Sequence, residues 1–303
     1  MKKKNTKFIK LLLAGLVLFV VSYVETNKEE NNVQQPNNEP EIVQTFDGET
    51  NLEVHMIDVG QGDSILVKHK DFEMLIDAGT NSSGKDVVRY LQKLDVREID
   101  ILVGTHPHED HIGGLDDVIK TIPVKEVYMP NKTASTKTFN DVLDAIESKD
   151  LQITLPEAGK EIYNANGIKI RILGPLKDYE DTNASSIVLR IDYGNDSFFF
   201  GGDIESDVER DLILEYSADE LDVDFYKASH HGSDTSSSKA MMNILTPDIV
   251  AVSVGKDNKY GHPHYDAMMR FAEQNATVYM TKDSGNILAI SNGNGISVVK
   301  EGK

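Results

Sequence analysis

The ten residues 105–114, Thr-His-Pro-His-Glu-Asp-His-Ile-Gly-Gly, constrain the fold of this chain more than any other segment. They place three imidazoles and two carboxylates within six residues, directly after the apolar stretch 99–103. Burying such groups without partners is costly, so they cannot all face a hydrophobic core. The β-branched stretch before them predicts a strand. We therefore expect a polar loop at the carboxyl end of a strand.

The spacing within this loop predicts a metal site. His106 and His108 are two residues apart, so in an extended segment they share a face and can converge on one ion. Asp110 and His111 then turn towards a second point. Mixed imidazole and carboxylate ligands suit Zn, Mn or Fe. The chain has no cysteine, which excludes thiolate ligands, disulfides and a cysteine nucleophile. The alternative is a solvated polar loop, which this spacing after a strand disfavours.

The charge balance limits the partners that the chain can bind. Fifty acidic residues against 31 basic ones give a formal net charge of −19. Such a surface repels polyanions at long range and argues against a tight, non-specific nucleic-acid binder. It does not exclude a nuclease, because bound metal ions add positive charge where a phosphate would lie.

The chain divides into three parts by composition. Residues 1–24 have a basic start followed by an apolar run, which predicts a signal peptide or a membrane anchor; a buried amino-terminal helix is the alternative. Residues 25–48 are rich in Asn, Glu, Gln and Pro and predict a disordered linker. Residues 49–303 form the predicted folded domain. We expect an exported protein, secreted or anchored to the outer face of the cytoplasmic membrane, with membrane contact only through its first segment.

Within the folded domain, strand and helix patterns fall into two groups, each with strands followed by helices. Two such halves suit two sheets packed face to face with helices outside, an αβ/βα four-layer sandwich of the α/β class. The predicted strands are residues 53–59, 64–68, 72–76, 99–103, 126–129, 152–154, 168–173, 186–192, 197–200, 223–227, 249–254, 277–280, 286–291 and 296–300. The predicted helices are residues 85–94, 115–121, 140–147, 205–216, 239–245 and 265–274.

The His-x-His-x-Asp-His pattern of residues 106–111 resembles the metallo-β-lactamase superfamily, and the resemblance extends from about residue 51 to the carboxyl terminus. Residues 74–79 (Met-Leu-Ile-Asp-Ala-Gly) and 201–203 (Gly-Gly-Asp) resemble two further elements of that superfamily. More narrowly, three segments resemble the hydrolase domain of the ComEC-type DNA-uptake proteins: residues 55–64, 229–233 and 260–264. The resemblance implies the metallo-β-lactamase fold and a stand-alone hydrolase domain on a tether.

The resemblance also implies a set of ligands. His106 and His108 would hold one metal, and Asp203 would lie between the two ions. Asp110 and His111 would hold the other metal together with one residue of the pair 230–231. We favour His231 as this ligand and His230 as a contact to substrate or to a ligand, although the alternatives are nearly balanced. The superfamily aspartate that lies beside the site and orients a ligand corresponds to Asp77.

One position departs from the superfamily pattern. Many of its hydrolases place another histidine ligand before the bridging aspartate, but this chain has no histidine between His111 and His230. Residues 181–186 (Asp-Thr-Asn-Ala-Ser-Ser) occupy the corresponding place. We expect Asn183 or Ser185 to face the first metal or the substrate, or water to fill the position. The first metal would then be more weakly held or more open, and a single-metal enzyme remains an alternative.

The other histidines and two aspartates receive less specific predictions. His262 and His264 precede a predicted helix and provide either a general acid or phosphate contact, or simply a turn. His55 and His69, on or beside strands, are predicted to be structural. Asp58 and Asp63 flank the glycine-rich turn 60–62, where carboxylates often accept hydrogen bonds from backbone N–H groups, so we predict no catalytic role for them.

These features predict a metal-dependent hydrolase, a phosphodiesterase or nuclease-like enzyme in which two divalent ions share a hydroxide. Zinc is the expected metal and manganese the alternative. Asp110 serves catalysis through the metal, and His230, His264 or a metal-bound water would protonate the leaving oxygen. Alternatives are hydrolysis of a carboxylic ester, lactone or amide, and a non-catalytic metal-bearing envelope module. The expected substrate is a phosphodiester or an envelope-derived ester, since the acidic charge disfavours DNA.

Overall fold

The computed structural model describes residues 51–302. The predicted signal or anchor segment 1–24 and the predicted linker 25–48 lie outside these residues. Within the described part of the chain, every helix is too short or too polar to cross a membrane.

Between residues 51 and 302, fifteen strands form two sheets. In chain order they are β1 (Leu52–Met56), β2 (Ile65–His69), β3 (Phe72–Ile76), β4 (Ile99–Val103), β5 (Val124–Tyr128), β6 (Ile153–Thr154), β7 (Glu161–Ala165), β8 (Ile168–Gly174), β9 (Val188–Tyr193), β10 (Asp196–Phe200), β11 (Phe225–Lys227), β12 (Ile249–Val252), β13 (Thr277–Met280), β14 (Ile287–Ser291) and β15 (Ile296–Lys300). The first sheet has the order β15-β14-β1-β2-β3-β4-β5-β6, and the second has the order β13-β12-β11-β10-β9-β8-β7.

The helices between these strands are mostly short. They are α1 (Gly84–Lys93), α2 (Glu109–Ile112), α3 (Leu115–Thr121), α4 (Lys137–Ser148), α5 (Ser206–Glu215), α6 (Ala218–Leu221), α7 (Lys239–Leu245), α8 (Tyr265–Glu273) and α9 (Thr281–Ser284). Two 3₁₀ turns, Asn183–Ser185 and Ser229–Gly232, lie in the second half.

Three apolar clusters define four layers. The central cluster contains residues of both sheets, including Val54 and Met74 from the first and Phe198 from the second, so it lies between the sheets. A second cluster joins the outer face of the first sheet to α1, α3 and α4, and a third joins the outer face of the second sheet to α5, α7 and α8. The strand period of two is visible in β10, where Phe198 and Phe200 face the central layer and Phe199 faces the helices. The predicted αβ/βα sandwich is confirmed.

Sheet topology sets the place of the functional loops. In the first sheet β3 and β4 run parallel, and in the second β10, β11 and β12 run parallel. The carboxyl ends of neighbouring parallel strands lie at the same edge of a sheet. The loops after β3 and β4 therefore lie together, as do those after β10 and β11. β2 runs antiparallel to β3, so the turn that precedes β2 joins this edge as well. Both halves of the sandwich thus supply polar loops to one edge.

Several elements differ from the sequence prediction, among them the short helices α6 and α9, which were not predicted. The motif 105–114 is not loop throughout, because Glu109–Ile112 form one helical turn. The edge strand β7 was not predicted, since its residues Glu161–Ala165 are half-buried or exposed and lack an apolar alternation.

The central layer predicts the response to truncation. Phe198 is fully buried between the sheets, so Phe198→Ala should lower the free energy of unfolding by about 3–5 kcal/mol through lost transfer energy and a residual cavity. Leu214 is 78% exposed on α5 and serves as the control; Leu214→Ala should change this free energy by no more than about 0.5 kcal/mol. Urea denaturation followed by circular dichroism measures both, and equal effects would contradict the assignment of the core.

Candidate metal centre

Asp77, directly after β3, organises the motif that follows β4. Its carboxylate is fully buried and accepts hydrogen bonds from the Thr105 amide at 2.8 Å and the Thr105 hydroxyl at 2.6 Å. It also accepts one from His111 Nδ1 at 2.8 Å. The His111 ring is thereby fixed with Nε2 facing the site, 3.2 Å from Asp203 Oδ2. Asp77 thus fixes the orientation of the His111 ring, the arrangement that the superfamily resemblance implies.

His106 and His108 lie side by side in the loop that follows β4. His106 Nε2 is 3.0 Å from His108 Nδ1, so the two rings converge as their spacing predicts. The other ring nitrogen of His106 lies 3.2 Å from the Thr105 hydroxyl and 3.3 Å from the Ser186 hydroxyl. His106 is fully buried, whereas His108 is exposed and lines the open pocket.

Asp203, after β10, lies at the centre of the histidines. Its Oδ2 atom is 3.2 Å from His111 Nε2, 3.6 Å from His231 Nε2, 3.8 Å from His230 Nε2 and 3.9 Å from His106 Nε2. Its backbone N–H donates to the Ser186 hydroxyl at 3.1 Å, which fixes the turn. This is the central position expected of a carboxylate shared by two ions.

The pair 230–231 presents its two rings differently. Both residues have positive φ, 48° and 54°, which turns their side chains to separate partners. His231 is buried, donates from Nδ1 to the Ser253 carbonyl at 3.0 Å, and directs Nε2 to within 3.5 Å of Asp110 Oδ2. His230 is partly exposed, with Nδ1 3.0 Å from Glu205 Oε1. This geometry favours His231 as the ligand.

The ligand atoms fit a divalent ion. Within the described residues, four groups of possible donors have their ligand atoms within 4.8 Å of one another: His106–His111–Asp203, Asp110–His111–His231, Asp63–Asp203–His231 and Asp63–Asp77–His111. The buried atoms His111 Nε2, His231 Nε2 and Asp203 Oδ1 have no hydrogen-bond partner within the described chain. Unpartnered buried nitrogen and oxygen atoms facing one another are costly unless a cation binds between them. The donor set suits Zn, Mn or Fe.

Asp63 was predicted to serve only the glycine turn, and this prediction needs correction. Its carboxylate is 1% exposed, with Oδ1 3.5 Å from His231 Nδ1 and Oδ2 3.8 Å from His111 Nδ1. Its backbone N–H donates to the Asp110 carbonyl at 3.0 Å. This close approach needs glycine at the preceding position, because a Cβ on Gly62 would lie 2.2 Å from the Asp110 carbonyl oxygen. Asp58, by contrast, accepts from the Gly60 N–H as predicted.

Lys227 is a further residue that the sequence analysis missed. It is fully buried at the end of β11, and its ammonium forms an ion pair with Asp63 Oδ2. A signal was available: Phe225 faces the central layer and Tyr226 faces the helices, so Lys227 must point back between the sheets. A lysine in that position needs a carboxylate partner. The pair joins the two halves of the sandwich beneath the site.

Of the two residues expected to face the site in the segment 181–186, the structure places Asn183 in the pocket and Ser185 outside its lining. Asn183 lines the pocket, and its Oδ1 atom is buried without a hydrogen-bond partner in the described chain. Ser185 instead donates its hydroxyl to the Thr182 carbonyl at 2.6 Å within its own 3₁₀ turn. The neighbouring Ser186 is buried, and its hydroxyl contacts His106 Nδ1 and the Asp203 N–H, so it supports two candidate ligands.

His262 and His264, in the loop after β12, differ in their surroundings. His262 is 7% exposed and lines the pocket, and its ring stacks on that of His231 with centroids 6.2 Å apart. Burial and the neighbouring His231 lower the pKa of His262 to about 4. His264 uses both ring nitrogens on backbone groups: Nδ1 accepts from the Asp234 N–H and Nε2 donates to the Tyr260 carbonyl, each at 3.0 Å. Its predicted role as a proton donor gains no support from these contacts.

The two remaining histidines have contacts away from the site. His55 bonds to the Tyr90 hydroxyl at 3.0 Å, and His69 bonds to the Asn51 carbonyl at 2.8 Å. These contacts agree with the structural roles predicted for them.

The site lies at the bottom of an open pocket of about 290 Å³. Its lining consists of Gln61, His108, Glu109, Asp110, Asn183, Asp203, His230, His231, Tyr260 and His262. Candidate ligands and uncommitted polar side chains therefore share one solvent-accessible cavity.

The fold and the arrangement of candidate ligands indicate the superfamily to which the protein belongs. Residues 57–256 match the family model of the metallo-beta-lactamase superfamily, which covers more than half of the chain, and the protein belongs to that superfamily. The chain is 28% identical to ComE operon protein 3 of Bacillus subtilis over 254 residues, which cover 78% of this chain and 32% of that protein. It is 29% identical to competence protein ComA of Neisseria gonorrhoeae over 217 residues, 71% of this chain and 29% of that protein.

The resemblance to the ComEC-type hydrolase domain is thus confirmed, and the chain spans about a third of the length of these curated relatives. Among solved structures, CmlA, a diiron beta-hydroxylase from Streptomyces venezuelae, superposes with a TM-score of 0.52 at 14% identity, over 83% of this chain and 54% of that chain. At this identity the likeness shows the shared fold alone.

Removal of Lys227 should reveal the importance of the buried pair. Lys227→Met leaves Asp63 as an uncompensated buried charge, so the free energy of unfolding should fall by about 3–5 kcal/mol. The exposed pair Lys239–Glu273 gives a control, and Lys239→Met should cost no more than about 1 kcal/mol. Adding Asp63→Asn to Lys227→Met should recover part of the loss in a double-mutant cycle by urea denaturation. Strictly additive losses would contradict the pairing.

Metal binding should release protons and strengthen as pH rises. Without a metal, burial opposes protonation of His111, but Asp203 and Asp77 outweigh it and raise the pKa of His111. Burial likewise opposes protonation of His231, but Asp203 and Asp110 raise its pKa. For such groups the stabilisation is complete below their unfolded pKa of about 6.5 and is lost as pH rises through the folded pKa.

A metal must displace these protons, so the apparent zinc affinity of chelator-treated protein should increase as pH rises above about 6.5. His106 and His262, whose pKa values burial lowers, are already neutral in this window. Titration calorimetry in buffers of different ionisation enthalpy measures the protons released. A pH-independent affinity with no proton release would contradict the expectation.

Proposed function

We propose that the protein is a metal-dependent phosphodiesterase. The observation that carries this proposal is the meeting of unpartnered ligand atoms of His111, His231 and Asp203 at the bottom of an open pocket. A purely structural metal site is closed by its protein ligands, whereas a catalytic site keeps a position for water or substrate. Membership of the metallo-beta-lactamase superfamily supports a hydrolytic use of such a site.

The residues that would hold two divalent ions are those brought together at this edge: His106, His108, Asp110, His111, Asp203 and His231. Zinc is the first expectation and manganese the alternative. When bound, the ions would lower the pKa of a water molecule and polarise the phosphoryl oxygens. Asp77 accepts a hydrogen bond from His111 Nδ1, which leaves His111 Nε2 free to bind a metal. The Ser253 carbonyl has the same effect on His231.

His230 is the candidate proton donor. Its Nδ1 atom donates to Glu205 Oε1 at 3.0 Å, which fixes the orientation of the ring. Its Nε2 atom faces the pocket, 3.8 Å from Asp203 Oδ2. A protonated His230 can therefore give a proton to a leaving oxygen held near Asp203.

The substrate class proposed is a phosphodiester, small or envelope-derived. The net charge of −19 argues against a long polyanion held along the surface. The competence-related relatives keep DNA as an alternative, and they support an exported or membrane-associated location. Any membrane contact is proposed to run through residues 1–24 only.

The proposal is tested by hydrolysis of bis-p-nitrophenyl phosphate and of single-stranded DNA after chelation and return of Zn or Mn. p-Nitrophenyl acetate serves as the carboxylic-ester comparison. Metal-dependent cleavage of phosphodiesters, with little ester hydrolysis, is the expected result. Ester hydrolysis without phosphodiester cleavage would instead indicate a carboxylic-ester hydrolase, and no bound metal at all would overturn the proposal.

Loss of a central carboxylate should remove activity while the fold persists. Asp110→Ala and Asp203→Ala should each lower phosphodiester kcat/KM by about 100-fold or more, because even residues that only orient ligands typically give 10- to 100-fold losses. Circular dichroism should show unchanged secondary structure. Lys239→Ala, in the exposed pair with Glu273, is the control and should retain activity. Turnover at the original rate in either aspartate variant would rule out this mechanism.

A further inference from the structure

The pocket has a second wall that the metal chemistry does not use. This wall is formed by the loop between β12 and α8, which contributes Tyr260 and His262, and by Gln61 from the turn before β2. Tyr260 is 53% exposed at the mouth of this polar pocket. A single exposed aromatic residue needs no explanation by itself. Tyr260, however, is not isolated, because its ring lies beside other rings of the pocket wall.

Three rings form a series from the candidate metal centre to the pocket mouth. His231 stacks on His262 with centroids 6.2 Å apart and planes 29° apart. His262 stacks on Tyr260 with centroids 5.6 Å apart and planes 22° apart. Tyr260 therefore continues a column of nearly parallel rings that begins at a candidate metal ligand. Another planar ring added at the mouth would extend the column.

The loop that carries Tyr260 is held in place by side-chain contacts. Asn258 accepts from the His262 N–H at 2.9 Å and donates to the His262 carbonyl at 2.9 Å. His264 Nε2 donates to the carbonyl of Tyr260 itself at 3.0 Å. These contacts fix the backbone of the segment 258–264, so the place from which the Tyr260 ring projects is set before a ligand arrives. Such preorganisation reduces the entropy cost of binding.

The surroundings of the column can also meet polar and charged groups. Gln61 Nε2 and His262 Nδ1 are buried with no hydrogen-bond partner in the described part of the chain. The exposed Lys259 ammonium lies 5.4 Å from the centre of the Tyr260 ring and adds positive charge to the mouth. A ligand with a planar ring, hydrogen-bonding edges and a negatively charged phosphate complements this combination.

We propose that Tyr260, backed by His262, is a stacking platform for a planar aromatic or heteroaromatic ring that the substrate carries next to its scissile phosphodiester. The ring is a nucleobase or an aryl group, which share this chemistry. The inference rests on the proposed phosphodiesterase function and adds a specificity determinant to it. The platform selects ring-bearing phosphodiesters over those without a ring.

Two matched substrate pairs test this selection. Thymidylyl-thymidine is compared with the same dinucleotide made from abasic tetrahydrofuran units, which keeps the phosphodiester and loses the rings. Bis-p-nitrophenyl phosphate is compared with methyl p-nitrophenyl phosphate, which keeps the leaving group and loses the second ring. The wild-type protein should prefer the ring-bearing member of a pair in kcat/KM by about 5- to 100-fold, the range expected for one stacked base.

Substitutions of Tyr260 should remove or keep the preference according to their ring. Tyr260→Ala should bring the ratio within a pair close to one, mainly through KM, whereas Tyr260→Phe should retain it. Tyr265, on α8, is also exposed and lies outside the pocket lining, so Tyr265→Ala is the control and should keep the wild-type ratio. Preference in the dinucleotide pair alone identifies a nucleobase site, and preference in both pairs identifies a general ring site. Preference in neither pair, or preference unchanged by Tyr260→Ala, would overturn the proposal.

A binding measurement separates this proposal from the catalytic one. The chain has no tryptophan, so the fluorescence of 2-aminopurine can be observed without interference. A dinucleotide with 2-aminopurine and a non-hydrolysable phosphonate linkage should be quenched by the wild-type protein and by Tyr260→Phe, and much less by Tyr260→Ala. Quenching without hydrolysis of any phosphodiester would refute the proposed activity and leave the platform standing. Hydrolysis without ring-dependent quenching would refute the platform alone.

Discussion

Charge neutralisation between the two sheets is the constraint on which the rest of the structure depends. Asp63, Asp77 and Asp203 are all buried at the edge where the sheets meet, and burial of unpaired carboxylates would be prohibitive. Lys227 pairs with the first, and imidazoles contact all three. The contacts that neutralise these buried carboxylates are therefore the same contacts that orient the candidate ligand nitrogens. Stability and site geometry depend on the same few residues.

Much of the fold and of the first motif could be predicted because their signals are local. Strand and helix periods, and the spacing of His106, His108 and His111, depend only on neighbours in the chain. The ion pair of Asp63 with Lys227 could not be read in this way, since 163 intervening residues separate them and only the topology of β2 and β11 brings them together. The choice between Asn183 and Ser185 depended on the direction of one 3₁₀ turn, which places Asn183 in the pocket and bonds Ser185 to Thr182.

The histidines outside the first motif show a related limit. Residues 262 and 264 are alike in sequence context, yet one faces the pocket and the other holds a loop. The difference arises from Asn258 and Asp234, whose contacts fix the backbone around each ring. Likewise, positive φ at both His230 and His231 sends adjacent rings to Glu205 and Ser253. Sequence identifies which residue types are available, but the backbone conformation decides which of them meet.

The division of the ligands between the two sheets has a consequence for how the protein acquires its metal. His106 and His111 follow a strand of the first sheet, whereas Asp203 and His231 follow strands of the second. A complete ligand set therefore exists only after both halves have folded and docked. The compartment in which folding finishes, with its own free concentrations of zinc and manganese, would then choose the ion.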